Sequence, residues 1–288
     1  MTEREAVGIV ARPSSDTAEG LALRTAEVLR QLGVEPLVEA ETAAAYSNTL
    51  GRLRTFNIER NPPHKVIVIG GDGTLLRAAI RSGSNEVIFL AVRAGKRGFL
   101  LDVDESVLSE RIRDFVNDNY ELVLHQRIKA YVNGNQLPCA VNDVVIFTSE
   151  GSMVRLDVYH DGEKLRERVM GVDGDGLIIS TTTGSTAYSL NAGGPIVDPR
   201  LDVIIITPLN PVQLFLRPVV MSRSNRLSII MRGESGPAYL VLDGQVKVNL
   251  RPGDRVNIYP CEAPLKVARF EWWSNYYERL FARLLSYW

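Results

Sequence analysis

This chain of 288 residues is short of cysteine, of histidine and of charge imbalance, and each shortage closes off a class of function. Only Cys139 and Cys261 occur. That count supports neither a disulfide framework nor a zinc site, and it makes a reducing cytoplasm the default expectation. The three histidines, His64, His125 and His160, follow no metal-ligand spacing, which favours core or surface roles. The formal net charge is −1, so no global basic field draws the chain to nucleic acid or to an anionic membrane. No apolar run approaches the ~20 residues that span a bilayer. Met1 to Glu5 lack the basic-then-apolar pattern of a signal peptide, and no internal repeat or low-complexity tract is visible. Hydrophobic residues make up 45% of the chain, enough for substantial cores in two domains or one large one.

Against that plain background stands Gly70-Gly71-Asp72-Gly73-Thr74, directly after the apolar run Val66-Ile67-Val68-Ile69. Four β-branched residues in a row read as a strand buried on both faces, as in a parallel sheet. Glycines at its carboxyl end let backbone N–H groups approach a ligand, and a helix opening near Thr74 adds its dipole, so the turn suits phosphate. Asp72 opposes anion binding there unless it accepts a proton or holds a metal. The plainer alternative is a tight strand-to-helix turn with Asp72 as a helix cap. No Gly-Lys-Ser/Thr follows, so this is not a Walker loop, and the GxGxxG spacing of a dinucleotide fingerprint is missing.

Strand and helix patterns alternate through the first 120 residues. Val7–Val10 reads as a strand, and Ser15 to Leu32 as a helix ended by Gly33. Glu35–Val38 reads as a second strand, while Thr42 to Phe56 has no clear pattern. Val87–Val92 is another buried strand leading into a second glycine loop, Arg93 to Leu100, and Ser106 to Asn117 reads as a helix. The alternation predicts a parallel sheet covered by helices, with ligands at the carboxyl ends of its strands. From about Tyr120 short strand-like runs and turn signals such as Asn133-Gly134, Asp161-Gly162 and Pro252-Gly253 take over, which predicts an all-β domain. The expected division is residues 1–120, joined by a returning helix within 270–288, and residues 121–269. The terminal segment from Trp273 has a helical apolar pattern and needs tertiary support from the first domain.

A second constellation runs from Asp175 to Pro195. It is a strand followed by a dense stretch of hydroxyls and glycines, Ser180-Thr181-Thr182-Thr183-Gly184-Ser185-Thr186 and onward. Many neutral donors and acceptors without net charge suit a ribose, an adenine edge or a phosphate. A Ser/Thr-rich loop with a helix cap is the plainer reading. Ser185 and Ser189 have no histidine near them in sequence, which argues against a hydrolase nucleophile. The pairs Trp272-Trp273 and Tyr276-Tyr277 suit packing or subunit contact better than a ligand cage.

Taken together, Gly70–Thr74, Gly98-Phe99-Leu100, Asn142-Asp143, Asp175–Pro195, Arg217-Pro218 and Asp243-Gly244-Gln245 resemble the NAD kinase family, in the style of its archaeal branch. The resemblance covers almost the whole chain from Lys65 onward. It implies an α/β amino-terminal domain with a parallel sheet, a sandwich-like all-β carboxyl-terminal domain, and a site between them. It implies transfer of a phosphoryl group from ATP or polyphosphate to the 2′-hydroxyl of the adenosine ribose of NAD, giving NADP. Asp72 matches the general base. Gly70, Gly71, Gly73 and Thr74 would surround phosphates, with Gly73 also against the dinucleotide. Phe99 would touch the adenosine half, and Asn142 and Asp143 match a pair that grips the dinucleotide. Thr186, Ala187, Tyr188, Ser189 and Asn191 match the segment lining adenine and ribose. Asp175 and Gln245 match residues near the dinucleotide, Asp175 across a subunit contact, so a homodimer or homotetramer is implied. Mg²⁺ would arrive with the nucleoside triphosphate, since it keeps few protein ligands. Lys96, Arg97 and Arg77 are candidate cations near the loops.

The chain departs from the family pattern at Arg93, Thr182, Asp143 and Asp173, where the family usually has Asn, Pro, Glu and a basic residue. Lipid kinases and phosphofructokinases share the Gly-Gly-Asp-Gly start but carry different downstream runs that this chain lacks. A non-enzymatic dinucleotide sensor remains as a further alternative, opposed by the retention of Asp72 beside phosphates.

Overall fold

The computed structural model describes residues 6–83, 86–95, 98–161, 166–270, 274 and 276–285. They form two compact units, one of residues 1–124 with 265–288, the other of residues 125–264.

In the first unit, strands β1 (Ala6–Ala11), β2 (Glu35–Glu39), β3 (Thr55–Phe56), β4 (Lys65–Gly70), β5 (Ile88–Arg93) and β6 (Glu121–His125) form one sheet with a strand from far down the chain, β19 (Leu265–Arg269). Their order is β3-β2-β1-β4-β5-β19-β6. The pairs of β1 with β2 and β4, of β4 with β5, and of β5 with β19 are all parallel. Helices α1 (Asp16–Gln31), α2 (Ala40–Ala45), α3 (Asp72–Ser82) and α4 (Leu108–Val116) lie among them in sequence, and α6 (Tyr276–Leu285) closes the chain. The apolar stripe Ala18, Leu21, Ala22, Ala26 and Leu29 of α1 is buried, and Gly33 ends that helix at φ +77°. Ser15 caps it by accepting from the Ala18 N–H at 3.3 Å. Every residue of β4 is buried, as its β-branched run requires. The chain leaves β1 for one side of the sheet and β4 for the other. The end of β4 is therefore a topological switch point, where α/β sheets open a crevice for ligands.

The second unit is two antiparallel six-stranded sheets. One has the order β11-β10-β15-β18-β7-β8 and the other β14-β13-β12-β9-β16-β17. In chain order the strands are β7 (Ile128–Val132), β8 (Asn135–Ala140), β9 (Asp143–Thr148), β10 (Val154–Asp161), β11 (Arg166–Gly174), β12 (Gly176–Thr181), β13 (Val203–Leu209), β14 (Val219–Ser222), β15 (Leu227–Met231), β16 (Ala238–Leu242), β17 (Val246–Leu250) and β18 (Arg255–Pro260). One core joins the sheets, with Ile128, Leu156 and Ile258 from the first facing Ile146, Ile179 and Leu240 of the second. A one-turn helix, α5 (Tyr188–Asn191), follows the hydroxyl-rich run.

Cys139 and Cys261 form a disulfide, which corrects the expectation of unpaired thiols. The reason is register. Strand β8 pairs with β7 at Lys129↔Cys139, and β7 pairs with β18 at Lys129↔Tyr259, so the sheet brings together cysteines 122 residues apart. Among the described residues no helix is long and apolar enough to cross a membrane.

Candidate functional site

In the first unit the site is built where α3 starts. Gly71 is its N-cap, and Thr74 closes the turn, its N–H donating to the Gly71 carbonyl at 2.9 Å while its hydroxyl accepts from the Gly71 N–H at 3.4 Å. Thr74 is thus a cap in this fold. A side chain at Gly70 would meet the Thr74 Oγ1 at 2.3 Å, so packing alone demands glycine there. At Gly71 a Cβ would meet nothing within 4 Å and φ is an ordinary −120°. The fold does not need glycine at Gly71, and the open space leaves the backbone bare toward solvent.

Asp72 occupies the first turn of α3, where the helix dipole favours a carboxylate. It does more than cap. Its Oδ2 accepts from the Phe99 N–H at 2.7 Å and its Oδ1 from the Leu100 N–H at 2.8 Å. One carboxylate therefore ties the first glycine loop to the second. Two further contacts fix the second loop. The Ala94 N–H donates to the Gly70 carbonyl at 2.9 Å. Arg269, fully buried on β19, donates to the Leu100 carbonyl at 2.6 Å and to the Asp102 carboxylate at 2.8 Å. Phe99 packs edge-on to Tyr276 of α6 at 6.0 Å between centroids.

In the second unit a pocket of about 320 Å³ is lined by Asn142, Asp143, Ala187, Tyr188, Asp243 and Gly244 among others. Asp243 and Gly244 sit at φ +47° and +67° in the β16–β17 turn, the backbone a type I′ hairpin requires. That turn aims the Asp243 carboxylate at the start of β9. It accepts from the backbone N–H groups of Val141 at 2.7 Å, Asn142 at 2.8 Å and Asp143 at 3.0 Å. The buried Arg127, which donates through Nε to the Ala263 carbonyl at 2.6 Å, supplies a compensating positive field. Burial still raises the Asp243 carboxyl above the usual carboxylate range. Asp143, buried beside it, is pushed up to about 7, first by burial and then by the Asp243 charge. The Asn142 side-chain amide makes no hydrogen bond to the described residues.

The other expected site residues of this unit fall around the same segment. The Thr186 hydroxyl donates to the Thr183 carbonyl at 3.4 Å, Tyr188 is 47% exposed, and Asn191 is exposed at the end of α5. Ser189 is fully buried, with its hydroxyl 2.9 Å from that of Thr207, so its side chain serves the fold. Gln245 is exposed just beyond Gly244. Asp175 accepts from the Asn210 side-chain amide at 2.7 Å.

Both units have counterparts in known proteins. The ATP-NAD kinase N-terminal domain model matches residues 7–120, and the ATP-NAD kinase C-terminal domain model matches residues 141–270. The chain belongs to the NAD kinase family. It is 45% identical to an NAD kinase of Aeropyrum pernix, over 98% of this chain and 99% of that one. It is 34% identical to an NAD kinase of Methanopyrus kandleri over the full length of both. As a member of this family it is an enzyme that phosphorylates NAD. Its fold is that of yeast NADH kinase, solved with NADH (TM-score 0.88, 21% identity, 99% of this chain and 88% of that one). It is also that of an Archaeoglobus fulgidus NAD kinase solved with ATP (TM-score 0.77, 23% identity, 98% and 99%).

In this NAD kinase three of the residues expected to depart from the family pattern have local partners. Arg93 pairs with Asp104, Nε to Oδ1 3.1 Å. The Thr182 hydroxyl donates to the Leu201 carbonyl at 2.6 Å and so ties down the segment entering β13. Asp173 pairs with Arg232 on the face of its own sheet. Among the candidate cations, Arg77 pairs with Glu41 of α2. Lys96 and Arg97 lie outside the described residues, as do Trp272, Trp273 and Gly162. Sequence reasoning missed Asp243, Arg127 and Arg269 as supports of the two sites. The Asp-Gly turn was visible, but nothing in the sequence says which backbone its carboxylate reaches.

Proposed function

We propose that the chain transfers the γ-phosphoryl group of ATP to the 2′-hydroxyl of the adenosine ribose of NAD, with Asp72 as general base. The observation that carries this is the Asp72 carboxylate, oriented by the Phe99 and Leu100 N–H groups beside the open backbone of Gly71. Each oxygen accepts one backbone bond and keeps lone-pair capacity for a substrate hydroxyl. The hydroxyl proton passes to Asp72 as the ribose oxygen bonds to the γ-phosphorus, the bond from that phosphorus to the β,γ-bridging oxygen breaks, and ADP leaves. Proton removal of this kind contributes roughly 10²–10⁴-fold. The remainder of phosphoryl transfer is positioning and charge neutralisation. Gly70, Gly71 and Gly73 suit the phosphates through their backbone and the start of α3.

Asn142, Asp143, Ala187 and Tyr188 would hold the dinucleotide in the second unit, supported by their common pocket and by the unengaged Asn142 amide. Phe99, Thr186, Asn191, Asp175 and Gln245 would add contacts, and Ser189 would act through the backbone it anchors. Mg²⁺ would enter as part of the triphosphate substrate, since it keeps few protein ligands. We also infer a homo-oligomer, dimer or tetramer. The loop after β13 exposes Val212 by 61%, Leu214 by 88% and Phe215 by 79%, a cost in water that a second copy would remove. Sedimentation of a monomer at micromolar concentration would sink that inference. A cytoplasmic location goes with the soluble substrates. The test of the main reading is NADP formation by purified protein with NAD, Mg²⁺ and either ATP or polyphosphate. Product with ATP supports it, and binding of NAD without product from either donor points to a sensor.

A further inference from the structure

Apart from the pocket beside Asn142, the second unit carries a cleft of about 770 Å³ on the outer face of the other sheet, lined by β7, β18 and the loop entering β15. Alternation makes its floor. Ile128, Ala130 and Val132 of β7 and Val256 and Ile258 of β18 point into the core. Their neighbours Lys129, Tyr131, Asn257 and Tyr259 point the opposite way, into the cleft.

The cleft's chemistry is uneven in an informative way. Tyr131 and Tyr259 meet edge to face at 5.4 Å between centroids, so two rings are already oriented. The Arg226 guanidinium lies 5.9 Å from the Tyr259 centroid and makes no ion pair among the described residues. Arg223 is anchored through Nε to Asp202 at 2.5 Å. Lys129 is neutralised by Glu262 at 2.8 Å. Three cations against two carboxylates leave one positive charge, centred on Arg226. The wall is stiff, because Cys261 is tied to β8 by its disulfide and its N–H donates to the Arg127 carbonyl at 2.9 Å. Volume, rings and one unpartnered cation match the features of small-molecule sites.

We propose that this cleft is a second ligand site, for a compound that joins a planar ring to one anionic group, of the nucleoside-monophosphate class. The ring stacks against Tyr259 and Tyr131, and the anion pairs with Arg226 and the outer nitrogens of Arg223. Asn257 offers an amide to the ring edge or ribose. A triphosphate carries more charge than the single net cation balances. The site lies wholly within the second unit and uses none of the residues assigned to the phosphoryl transfer.

The test is calorimetric titration of the full chain, saturated with NAD, using AMP as probe and adenosine and inorganic phosphate as separate arms. AMP is expected to bind at one site, with adenosine and phosphate each at least tenfold weaker, since each carries half of the recognition. Arg226→Ala and Tyr259→Ala are each expected to weaken AMP by about tenfold or more while kcat and the KM for NAD stay unchanged. Both side chains lie outside the core, so folding is retained and is checked by unchanged thermal unfolding. Three results would overturn the proposal. They are no AMP binding to the NAD-saturated protein, binding that survives both substitutions, and a fall in oligomeric mass on either substitution, which would make the face a contact between copies.

Discussion

Asp143 and Asp243 are two carboxylates in one buried corner, and their surroundings separate their roles. Asp243 spends its acceptors on three successive backbone N–H groups and so fixes the start of β9. Asp143 faces the pocket with its carboxyl pushed up to about 7. Its native proton affinity lies above that of an unfolded aspartate, near 3.9. Between about pH 4 and 7 the native state therefore binds more protons, and its stability falls as pH rises through that window. A shift of roughly three units corresponds to about 4 kcal/mol at most. Asp143→Asn should flatten this dependence, so urea unfolding at pH 5 and pH 8 should differ less for the variant than for the wild type. Parallel pH profiles for the two proteins would contradict the assignment. Asp72 was legible in the sequence because its loop is local, with strand, glycines and helix start contiguous. Asp243 was not, because its partners lie about a hundred residues upstream.

At the scale of elements, the second glycine loop depends on a strand that the sequence pattern did not reveal. Leu265–Arg269 is short and ends in an arginine, yet it lies inside the parallel sheet between β5 and β6. Its Arg269 holds Leu100 and Asp102, and the Leu100 and Phe99 amides hold Asp72. Removing one member of a buried ion pair leaves an uncompensated charge and typically costs about 3–5 kcal/mol. Arg269→Ala should therefore lower the midpoint of thermal unfolding by several degrees and reduce kcat as the loop loosens. An unchanged midpoint would show that the loop is held otherwise. Edge strands are harder to read from sequence than central ones, and β8 and β11 are sheet edges. Edges tolerate Pro138 in β8 and charges such as Arg168 in β11, which protect against mispairing but erase the apolar signature of a strand. Central strands such as β4, β12 and β13 carry apolar runs because both faces are buried.

At the scale of the whole molecule, the cysteine pair links segments at the two ends of the second unit's sequence. The count of two cysteines said nothing of their proximity, which arises from the order β18-β7-β8 in one sheet. The bridge closes a span of 122 residues and constrains the unfolded chain accordingly. Cys139→Ser should cost about 2–4 kcal/mol of stability, read by urea unfolding, with the wild type in reductant behaving like the variant. Equal stability of oxidised and reduced protein would contradict a stabilising bridge.

Phosphoryl transfer as proposed requires Asp72 to be a base and not merely a cap between two loops. Both roles use the same carboxylate: Asp72→Asn loses the ability to take the ribose proton and also one of the two acceptors that hold the Phe99 and Leu100 N–H groups, so NAD affinity and the midpoint of thermal unfolding report the cap while kcat reports the base. The measurement is kcat for NADP formation together with the dissociation constant for NAD in that variant. A fall in kcat of about 10²–10⁴-fold with NAD affinity largely retained is expected. Turnover within a few-fold of the wild type would contradict the role of Asp72 as base.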